Sequence, residues 1–317
     1  MKLVVIIPAY NEEKSINQVI GRVPRQIAGI EQVYILVIND GSQDRTVEIA
    51  RSAGADLIIN NETNLGLART FKKGILAALD QGADIIVNLD ADNQYNPQEI
   101  PKLIQPIIDG QAEIVTGDRQ IKKLKYLSWS NKYGNLLGSW LLRRLTGFNI
   151  TDVSSGFRAY SAAAVFGLNI LSIHTYTHET LISAWYKRIK ISQVPVEFHP
   201  RQGKSRLISS LPDHIKKSLI TILRTMLHHK PLKTFLLIGS IVTLFGVLLG
   251  ARFLYFYFTE GSGGHIQSLI LTAILISVGF TTIVMGLLAD LIRTNREISE
   301  EILSQLKEKD FKNKRNE

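Results

Sequence analysis

The 317-residue chain contains no cysteine. This absence excludes a disulfide-stabilised scaffold, a metal site built on thiolates and a cysteine nucleophile. The two common glycine patterns that bind phosphate are also missing, because no G-x-G-x-x-G follows the first predicted strand and no G-x-x-x-x-G-K-S/T occurs. Dinucleotide and P-loop sites are therefore disfavoured. Disorder is excluded as well, because apolar runs are spread along the whole chain.

Acidic residues are nearly absent from two stretches of a chain whose net charge is +9. The stretch from Arg119 to Thr151 has seven basic residues and no acidic one, and the stretch from Arg201 to Lys233 has eight basic residues beside Asp213 alone. Positive charge concentrated in this way suggests an anionic partner, which leaves nucleic acid, a membrane surface and phosphorylated substrates as candidates, with a solvated basic face as the structural alternative.

Two long runs near the C-terminus lack any charge. They extend over 17 residues from Phe235 to Ala251 and over 21 residues from Leu269 to Ala289. About 20 apolar residues, each adding about 1.5 Å, cross a hydrocarbon core of about 30 Å. The sequence therefore predicts two transmembrane helices within residues 232–292, joined by a short outside loop at 259–268.

The loop 259–268 has no lysine or arginine, whereas the outer flanks of both runs are rich in them. The positive-inside rule then puts both termini, the charged tail 293–317 and the N-terminal part of the chain in the cytoplasm. We therefore expect an integral protein of the cytoplasmic membrane. Trp129 and Trp140 in the first basic stretch could stack on single-stranded nucleic acid. A membrane-interface role is favoured beside such an anchor, so no nucleic-acid partner is expected.

The segment before the first run, residues 211–231, carries apolar residues at helical spacing with lysines on other faces. This pattern predicts a basic amphipathic juxtamembrane helix on the anionic leaflet, with packing on the N-terminal domain as the alternative. Within the first run, Gly246 and Gly250 form a small-xxx-small pair. The pair could seat the second span or another protomer, and the latter would make a homo-oligomer through the transmembrane helices.

The first 210 residues predict a soluble domain of the α/β class. Short apolar runs rich in β-branched residues alternate with amphipathic helical stretches, which is typical of a mostly parallel, Rossmann-like sheet covered on both faces. The predicted strands are 3–7, 33–38, 57–59 and 85–89, and the predicted helices are 12–22, 44–53, 67–79 and 97–109.

Polar clusters follow three of these strands, at the carboxyl ends where such sheets bind ligands. The clusters are 9–12 (AYNE), 40–42 (DGS) and 90–92 (DAD). The two carboxylates of Asp90 and Asp92 suit a hard divalent cation, and Gln94 can add a carbonyl oxygen. Such a metal would bridge the diphosphate of a bound nucleotide and help the leaving group depart. The structural alternative for the same residues is a helix N-cap or an Asx turn.

Five motifs in order along the chain carry a family resemblance. They are VVIIPAYNEE, VINDGSQDRT, NLGLARTFKKG, NLDADNQ and DVSSGFRAY. Together they resemble the family-2 glycosyltransferases with the GT-A fold, within them the branch of dolichyl-phosphate mannose synthase and the bacterial polyprenyl-phosphate glycosyltransferases. The resemblance covers about residues 3–206, and the two predicted spans fit the membrane-anchored members of that branch.

For the donor side, the resemblance implies a GT-A domain over residues 1–210 that binds a nucleotide sugar. The residues it assigns to that donor are Pro8, Ala9, Tyr10, Glu12, Asp40, Asp90, Ala91, Asp92 and Arg119. Asp40 would contact the base and Arg119 the donor phosphates. Asp92 and Gln94 would bind Mg²⁺ or Mn²⁺ directly, with Asp90 as a further candidate ligand, and both aspartates would take part in catalysis.

For the acceptor side, the resemblance implies a catalytic Asp152, with Glu179 near the acceptor. The phosphate-binding residues it assigns are Arg158, Arg201, Lys204, Ser205 and Arg206. The spacing departs from the family pattern here, because Gln202 alone separates Arg201 from the following glycine where two residues are usual. His174 and His178 have the i, i+4 spacing of a zinc helix, but the order is not H-E-x-x-H, and structural histidines are favoured.

The function that the resemblance implies is inverting transfer of one hexose to a polyprenyl monophosphate at the cytoplasmic face of the membrane. UDP-glucose is the expected donor, and GDP-mannose is the second candidate. A processive polysaccharide synthase is a rival, but it would need a Q-x-x-R-W motif and further spans, which this sequence lacks. A catalytically dead membrane scaffold is another rival, against which the intact Asp-x-Asp argues.

Overall fold

Seven strands form one sheet in the computed structural model, which describes residues 1–121, 124, 139, 150–168, 176–200, 231–260 and 266–316. The strands are β1 (Lys2–Ala9), β2 (Gln32–Asn39), β3 (Leu57–Asn60), β4 (Ile85–Asn88), β5 (Ile114–Asp118), β6 (Arg158–Ser161) and β7 (Ile191–Pro195). Their order across the sheet is β3-β2-β1-β4-β6-β5-β7.

The sheet is mostly parallel, as predicted. β1 pairs in parallel with β2 and β4, β2 with β3, and β5 with β7, whereas β6 runs antiparallel to both β4 and β5. β1 lies near the centre, and its residues Leu3 to Ile7 have no exposed surface. An uninterrupted apolar run is therefore needed there, because helices cover both faces.

Helices pack on the two faces of the sheet. One face packs against α1 (Ile16–Gly21), α2 (Thr46–Ser52) and α4 (Ile100–Ile108), and the other against α3 (Leu67–Asp80), α5 (Ala162–Gly167) and α6 (Tyr176–Tyr186). The predicted helix 12–22 begins only at Ile16. Asn11 adopts φ +54°, and the N–H groups of Glu12 and Glu13 donate to Thr46 and Asp44 instead.

Two further helices are long and apolar enough to cross a membrane. They are α7 (Pro231–Glu260) and α8 (Ile266–Asn316), whose most apolar windows have mean hydropathies of 2.2 and 2.3. Only 11% and 17% of those windows are buried, so these helices do not resemble the core helices of a soluble domain. The chain divides into two compact units, residues 223–301 and residues 1–222 with 302–317.

Small residues bring α7 and α8 close together within the second unit. A Cβ placed on Gly239 would lie 2.8 Å from the carbonyl oxygen of Gly279. Further along the pair, Gly246 lies against Ile276 and Gly250 against Thr272. The small-xxx-small pair of the first span therefore seats the second span, which was one of the two alternatives that the sequence left open.

Several sequence predictions fall outside the described residues. These are the amphipathic helix within 211–231, His174, most of the basic stretch 119–151, and the phosphate-binding set Arg201, Lys204, Ser205 and Arg206.

Candidate active site

The strand order places a crevice between β1 and β4. The chain passes from β1 to β2 on one side, whereas β4 pairs with β1 on the other, so the order reverses at this point. Ligands of open α/β sheets bind outside the carboxyl ends of the strands at such a switch point. Ala9 ends β1, Asp40 follows β2, and Asp90 follows β4. The three polar clusters predicted from the sequence therefore share one edge of the sheet.

The loop after β1 is held by the loop after β2 through backbone-to-side-chain hydrogen bonds. Asn11 N donates to Ser42 Oγ (2.9 Å), and Gln43 N donates to Asn11 Oδ1 (2.8 Å). Glu12 N donates to Thr46 Oγ1 (2.8 Å). These bonds fix Asn11 and the backbone of Glu12, in the loop where Tyr10 and Glu12 were assigned to the donor.

Asp44 organises the same loop pair, although the sequence analysis did not single it out. Its carboxylate accepts from Glu13 N (3.2 Å) and Thr46 N (3.0 Å), and it also binds the Thr46 hydroxyl. Burial alone would raise the pKa of Asp44, but hydrogen bonds from Thr46 and Glu13 lower it overall. Asp-x-Thr before a helix was the available sequence signal.

Asp40 anchors the segment that leads into α3. It is 4% exposed, and its Oδ1 accepts from Asn61 Nδ2 (2.9 Å) and Leu65 N (2.9 Å), while Oδ2 accepts from Gly66 N (3.0 Å). The carboxylate thus shapes the wall of the crevice before any ligand arrives. A carboxylate has about four acceptor positions, so one remains for the predicted contact with an N–H of a base.

The oxygen atoms of the Asp-x-Asp segment fit a divalent cation. Asp90 lies against the backbone of Gly156, where a Cβ would come 2.6 Å from Asp90 Oδ2, so a side chain at this position would displace the carboxylate. Asp92 Oδ1 accepts from Gln94 N (3.2 Å) in a turn where Asn93 has φ +59°. Two carboxylates and an amide oxygen are hard donors suited to Mg²⁺ or Mn²⁺. Among the described residues no three His, Cys, Asp or Glu side chains form a cluster, so diphosphate and water oxygens would complete the coordination.

The side chain of Gln94 also holds the segment that follows β7. Its Nε2 donates to His199 O (3.3 Å), and His199 N donates to Gln94 O (2.7 Å). The first of these bonds uses the amide nitrogen of Gln94, and the amide oxygen takes no part in it. In the sequence His199 comes two residues before Arg201, where the predicted phosphate-binding set begins.

Asp152 and Arg119 form a buried, bidentate ion pair. Arg119 Nε lies 2.6 Å from Asp152 Oδ2 and Nη2 lies 2.8 Å from Oδ1, with side chains 13% and 1% exposed. Ser154 N also donates to Oδ1 (3.2 Å), and Phe198 lies under the guanidinium at 5.1 Å. The sequence assigned Arg119 to the donor and Asp152 to the acceptor. The structure brings the two together.

Tyr95 connects this ion pair to the Asp-x-Asp turn, and the sequence analysis missed it. Its hydroxyl lies 3.2 Å from Ser155 Oγ and accepts from Gly156 N (3.3 Å). Burial raises the pKa of Tyr95 to about 12, so the hydroxyl stays protonated at neutral pH. No local sequence pattern marks Tyr95, because its partners are about 60 residues further along the chain.

Arg158 lies beneath the site, and its surroundings argue against the predicted contact with an acceptor phosphate. The side chain is fully buried. Its guanidinium donates to three backbone carbonyls and one hydroxyl, namely Val153 O, Ser155 O, Thr177 O and Thr180 Oγ1, each at 2.8 Å. Four of its five N–H groups are thus used inside the domain.

Glu179 and His178 lie in the first turns of α6 and are 9% and 5% exposed. The Nδ1 of His178 lies 3.3 Å from Thr177 Oγ1. The choice between a structural histidine and a zinc helix depends on His174, which lies outside the described residues.

Comparison with known proteins gives a family match. Residues 4–166 match the sequence model described as Glycosyl transferase family 2. A relative from Methanococcus voltae, UDP-N-acetylglucosamine–dolichyl-phosphate N-acetylglucosaminyltransferase, is 34% identical over 61% of this chain and 83% of its own length. The dolichol-phosphate mannosyltransferase of Pyrococcus furiosus is 31% identical over 82% of this chain and 74% of its own length.

Among solved structures, the chain resembles glucosyl-3-phosphoglycerate synthase from Mycobacterium tuberculosis in complex with Mn²⁺, UDP and glucosyl-3-phosphoglycerate. The TM-score is 0.53 at 21% identity, over 71% of this chain and 78% of that one. At this identity the likeness concerns the fold, and it agrees with the architecture described above.

Proposed function

Because this chain belongs to glycosyl transferase family 2, we propose that it transfers one hexose from a nucleotide diphosphate sugar to a polyprenyl monophosphate, with inversion at the anomeric carbon. The family and the class of enzyme predicted from the sequence are confirmed. The observation that carries the specific proposal is the Asp-x-Asp turn beside the buried Arg119–Asp152 pair at one sheet edge.

UDP-glucose is the proposed donor, with GDP-mannose as the second candidate. A uridine nucleotide is supported by the name of the relative from Methanococcus voltae. The mannosyltransferase of Pyrococcus furiosus supports the second candidate. In either case Asp40 offers a carboxylate oxygen to an N–H of the base, beside the loop that it anchors.

We propose that Asp92 and Gln94, with Asp90, hold Mg²⁺ or Mn²⁺ against the donor diphosphate. When bound, the ion neutralises charge that develops on the departing nucleoside diphosphate. Gln94 can serve both this ion and the segment at His199, because its amide nitrogen binds His199 O while its oxygen remains available.

The proposed acceptor needs no general base. A phosphate monoester has a second pKa of about 6, so it is mostly ionised at pH 7 and can attack without losing a proton to the enzyme. Bringing it to an anionic donor requires cations. We propose that this positive charge comes from Arg201, Lys204 and Arg206, with Ser205 as a further ligand of the acceptor phosphate. Asp152 is proposed to act by holding Arg119 in place.

We place the reaction at the cytoplasmic face of the membrane. Two observations support this location. Basic residues flank two helices that are long enough to cross a membrane, and the names of both relatives contain a polyprenyl-type acceptor. A lipid phosphate emerges at the same surface that attracts basic segments.

The test is transfer by the purified full-length chain to polyprenyl phosphate in vesicles, with labelled UDP-glucose, UDP-N-acetylglucosamine and GDP-mannose compared. The expected product is a lipid carrying one hexose, formed only with Mg²⁺ or Mn²⁺. The Asp92→Asn variant should lose at least about 100-fold in turnover, comparable to the loss of one strong electrostatic contact.

The other outcomes identify the rivals. A product with many sugar residues indicates a processive synthase, and no transfer from any donor indicates a scaffold. Full activity of Asp92→Asn in excess EDTA contradicts the metal assignment.

A further inference from the structure

Four polar side chains lie in register across the sheet at the carboxyl ends of β4 and β5. Asn88 pairs with Arg158, Arg158 with Thr116, and Thr116 with Gln193. Registered residues of neighbouring strands present their side chains on the same face. We call these four residues the polar row. The next two registered pairs on the same face, Ile86 with Tyr160 and Tyr160 with Ile114, are buried in the core.

Three members of the polar row bind the loop 151–156, which carries Asp152. Gln193 Nε2 donates to Asp152 O (3.2 Å), and Gln193 Oε1 accepts from Thr151 N (2.8 Å). Asn88 Nδ2 donates to Gly156 O (2.8 Å). Arg158 donates to the carbonyl oxygens of Val153 and Ser155, which lie between Asp152 and Gly156 in the chain. The carbonyls of residues 152, 153, 155 and 156 therefore all bind side chains of the row.

The same loop also contacts residues of the candidate active site. Asp152 holds Arg119, and the Cα of Gly156 lies against Asp90. A displacement of this loop would move the Arg119–Asp152 pair relative to the Asp-x-Asp turn. The loop thus stands between the polar row and the crevice.

Arg158 is suited to this position by shape and not by charge alone. Its four acceptors are spread around a planar guanidinium, and two of them, Thr177 O and Thr180 Oγ1, belong to α6. Within the described residues no carboxylate lies within ion-pairing distance of Arg158. A lysine ammonium in its place keeps the charge but is a single point that cannot reach both the loop and the helix.

We propose that the three residues of the polar row that bind the loop 151–156, namely Asn88, Arg158 and Gln193, are a positioning element for sugar transfer, which sets this loop and with it the Arg119–Asp152 pair against the donor. This inference rests on the proposed function and goes beyond it, since it reassigns Arg158 from phosphate binding to positioning. The row touches neither of the loops assigned to the nucleotide base. Losing the contacts of these three residues therefore slows the chemical step more than it weakens donor binding, in which Arg119 is one contact of several.

The test compares three full-length variants with the wild type. Arg158→Lys keeps the charge, and Gln193→Met removes the contacts to Thr151 and Asp152 from a half-buried position. Thr116→Val is the matched control, because Thr116 lies in the row and is fully buried but is not one of the three residues that bind the loop, and among the described residues its hydroxyl has no hydrogen-bond partner. Val has nearly the shape of Thr, so only an unused hydroxyl is lost.

The measurements are kcat, acceptor KM, and the affinity and stoichiometry of UDP binding with Mn²⁺, or of GDP if the wild type uses GDP-mannose. We expect kcat per nucleotide-binding site to fall about 10- to 100-fold in Arg158→Lys and Gln193→Met, as for a misplaced catalytic group. Nucleotide affinity should fall by less than kcat, because Arg119 is only one of the residues assigned to the nucleotide. Thr116→Val should match the wild type in all of these.

A double-mutant comparison tests the route of the effect. If the row acts through the loop that carries Asp152, adding Arg158→Lys to Asp152→Asn should change kcat by less than about threefold, because effects on one coupled unit are not additive. Full additivity of the two losses contradicts the proposal.

The remaining outcomes are also decisive. A loss of nucleotide-binding sites in proportion to activity, with kcat per site unchanged in both variants, shows a merely structural role and overturns the inference. If Arg158→Lys does not fold, the comparison of Gln193→Met with the wild type is sufficient for this test. Absence of transfer by the wild type would instead contradict the proposed function, so the two failures are distinguishable.

Discussion

The ionisation of Asp152 is decided by its neighbour. Burial alone would raise its pKa, but the charge and hydrogen bonds of Arg119 hold the pKa below its usual value. A carboxyl with a lowered pKa in the folded state stabilises the fold above its unfolded pKa of about 3.9. That stabilisation is lost as the pH falls through the folded pKa. At neutral pH Asp152 is an ionised and weakly basic group.

At the residue scale, we expect Asp152→Asn to lower the rate of transfer by about 100-fold, since it weakens the hold on Arg119. The variant should nevertheless keep the pH profile of the wild type, flat above about pH 7, because the acceptor phosphate is already ionised there. The measurement is kcat against pH for both proteins. An acidic limb in the wild type that is missing from Asp152→Asn would show that Asp152 is a general base.

At the element scale, the loops at the sheet edge depend on contacts between segments. Helix α1 begins four residues later than its apolar periodicity predicts. The reason is that the N–H groups of Glu12 and Glu13 donate to the side chains of Thr46 and Asp44. Pro97–Glu99 forms a 3₁₀ turn before α4 for a local reason, with Asn96 capping Gln98 N. The first of these differences could not be predicted from periodicity, whereas the second has a sequence signal in Asn96-Pro97.

The loop after β2 allows a test at this scale. Gly41 has φ +75°, and a Cβ there would lie 2.8 Å from the carbonyl carbon of Thr63, in the segment that Asp40 anchors. Gly41→Ala should raise the donor KM about tenfold by displacing this wall of the crevice, as about 1.4 kcal/mol corresponds to tenfold in binding.

Gly82→Ala is the control for backbone strain. Gly82 has a similar φ of +73°, but nothing lies within 4 Å of a Cβ placed there. Both variants incur the strain of a positive φ, of about 1–2 kcal/mol. Only Gly41→Ala should change the donor KM, and equal donor KM values for the two variants would show that the Gly41 loop does not form the donor site.

At the scale of the whole molecule, the absence of cysteine makes the proposed orientation testable by labelling. Ser262→Cys places a thiol in the predicted outside loop, and Ser52→Cys places one on an exposed position of the N-terminal unit. In intact cells a membrane-impermeant maleimide should label Ser262→Cys and not Ser52→Cys, while both react after lysis. Labelling of Ser52→Cys in intact cells would reverse the orientation.

The amino-acid sequence by itself determined the class of sheet, the two apolar helices and the polar ends of β1, β2 and β4. Each of these follows from residues adjacent in the chain, whose apolar runs and charges are set by burial and by the membrane. The sequence also predicted that Asp40 and Asp90 lie at the same edge of the sheet, because parallel strands bring their carboxyl ends together.

Only the tertiary structure decided the partners of the charged groups. Arg119 and Asp152 are 33 residues apart, and their pairing depends on how β5 and the loop before β6 are placed. The role of Arg158 depends on the antiparallel register of β6 with β4 and β5, which no periodicity specifies. A single-residue shift in that register would turn the guanidinium to the opposite face of the sheet. Strand pairing therefore decides that Arg158 donates to the carbonyls of the loop that carries Asp152.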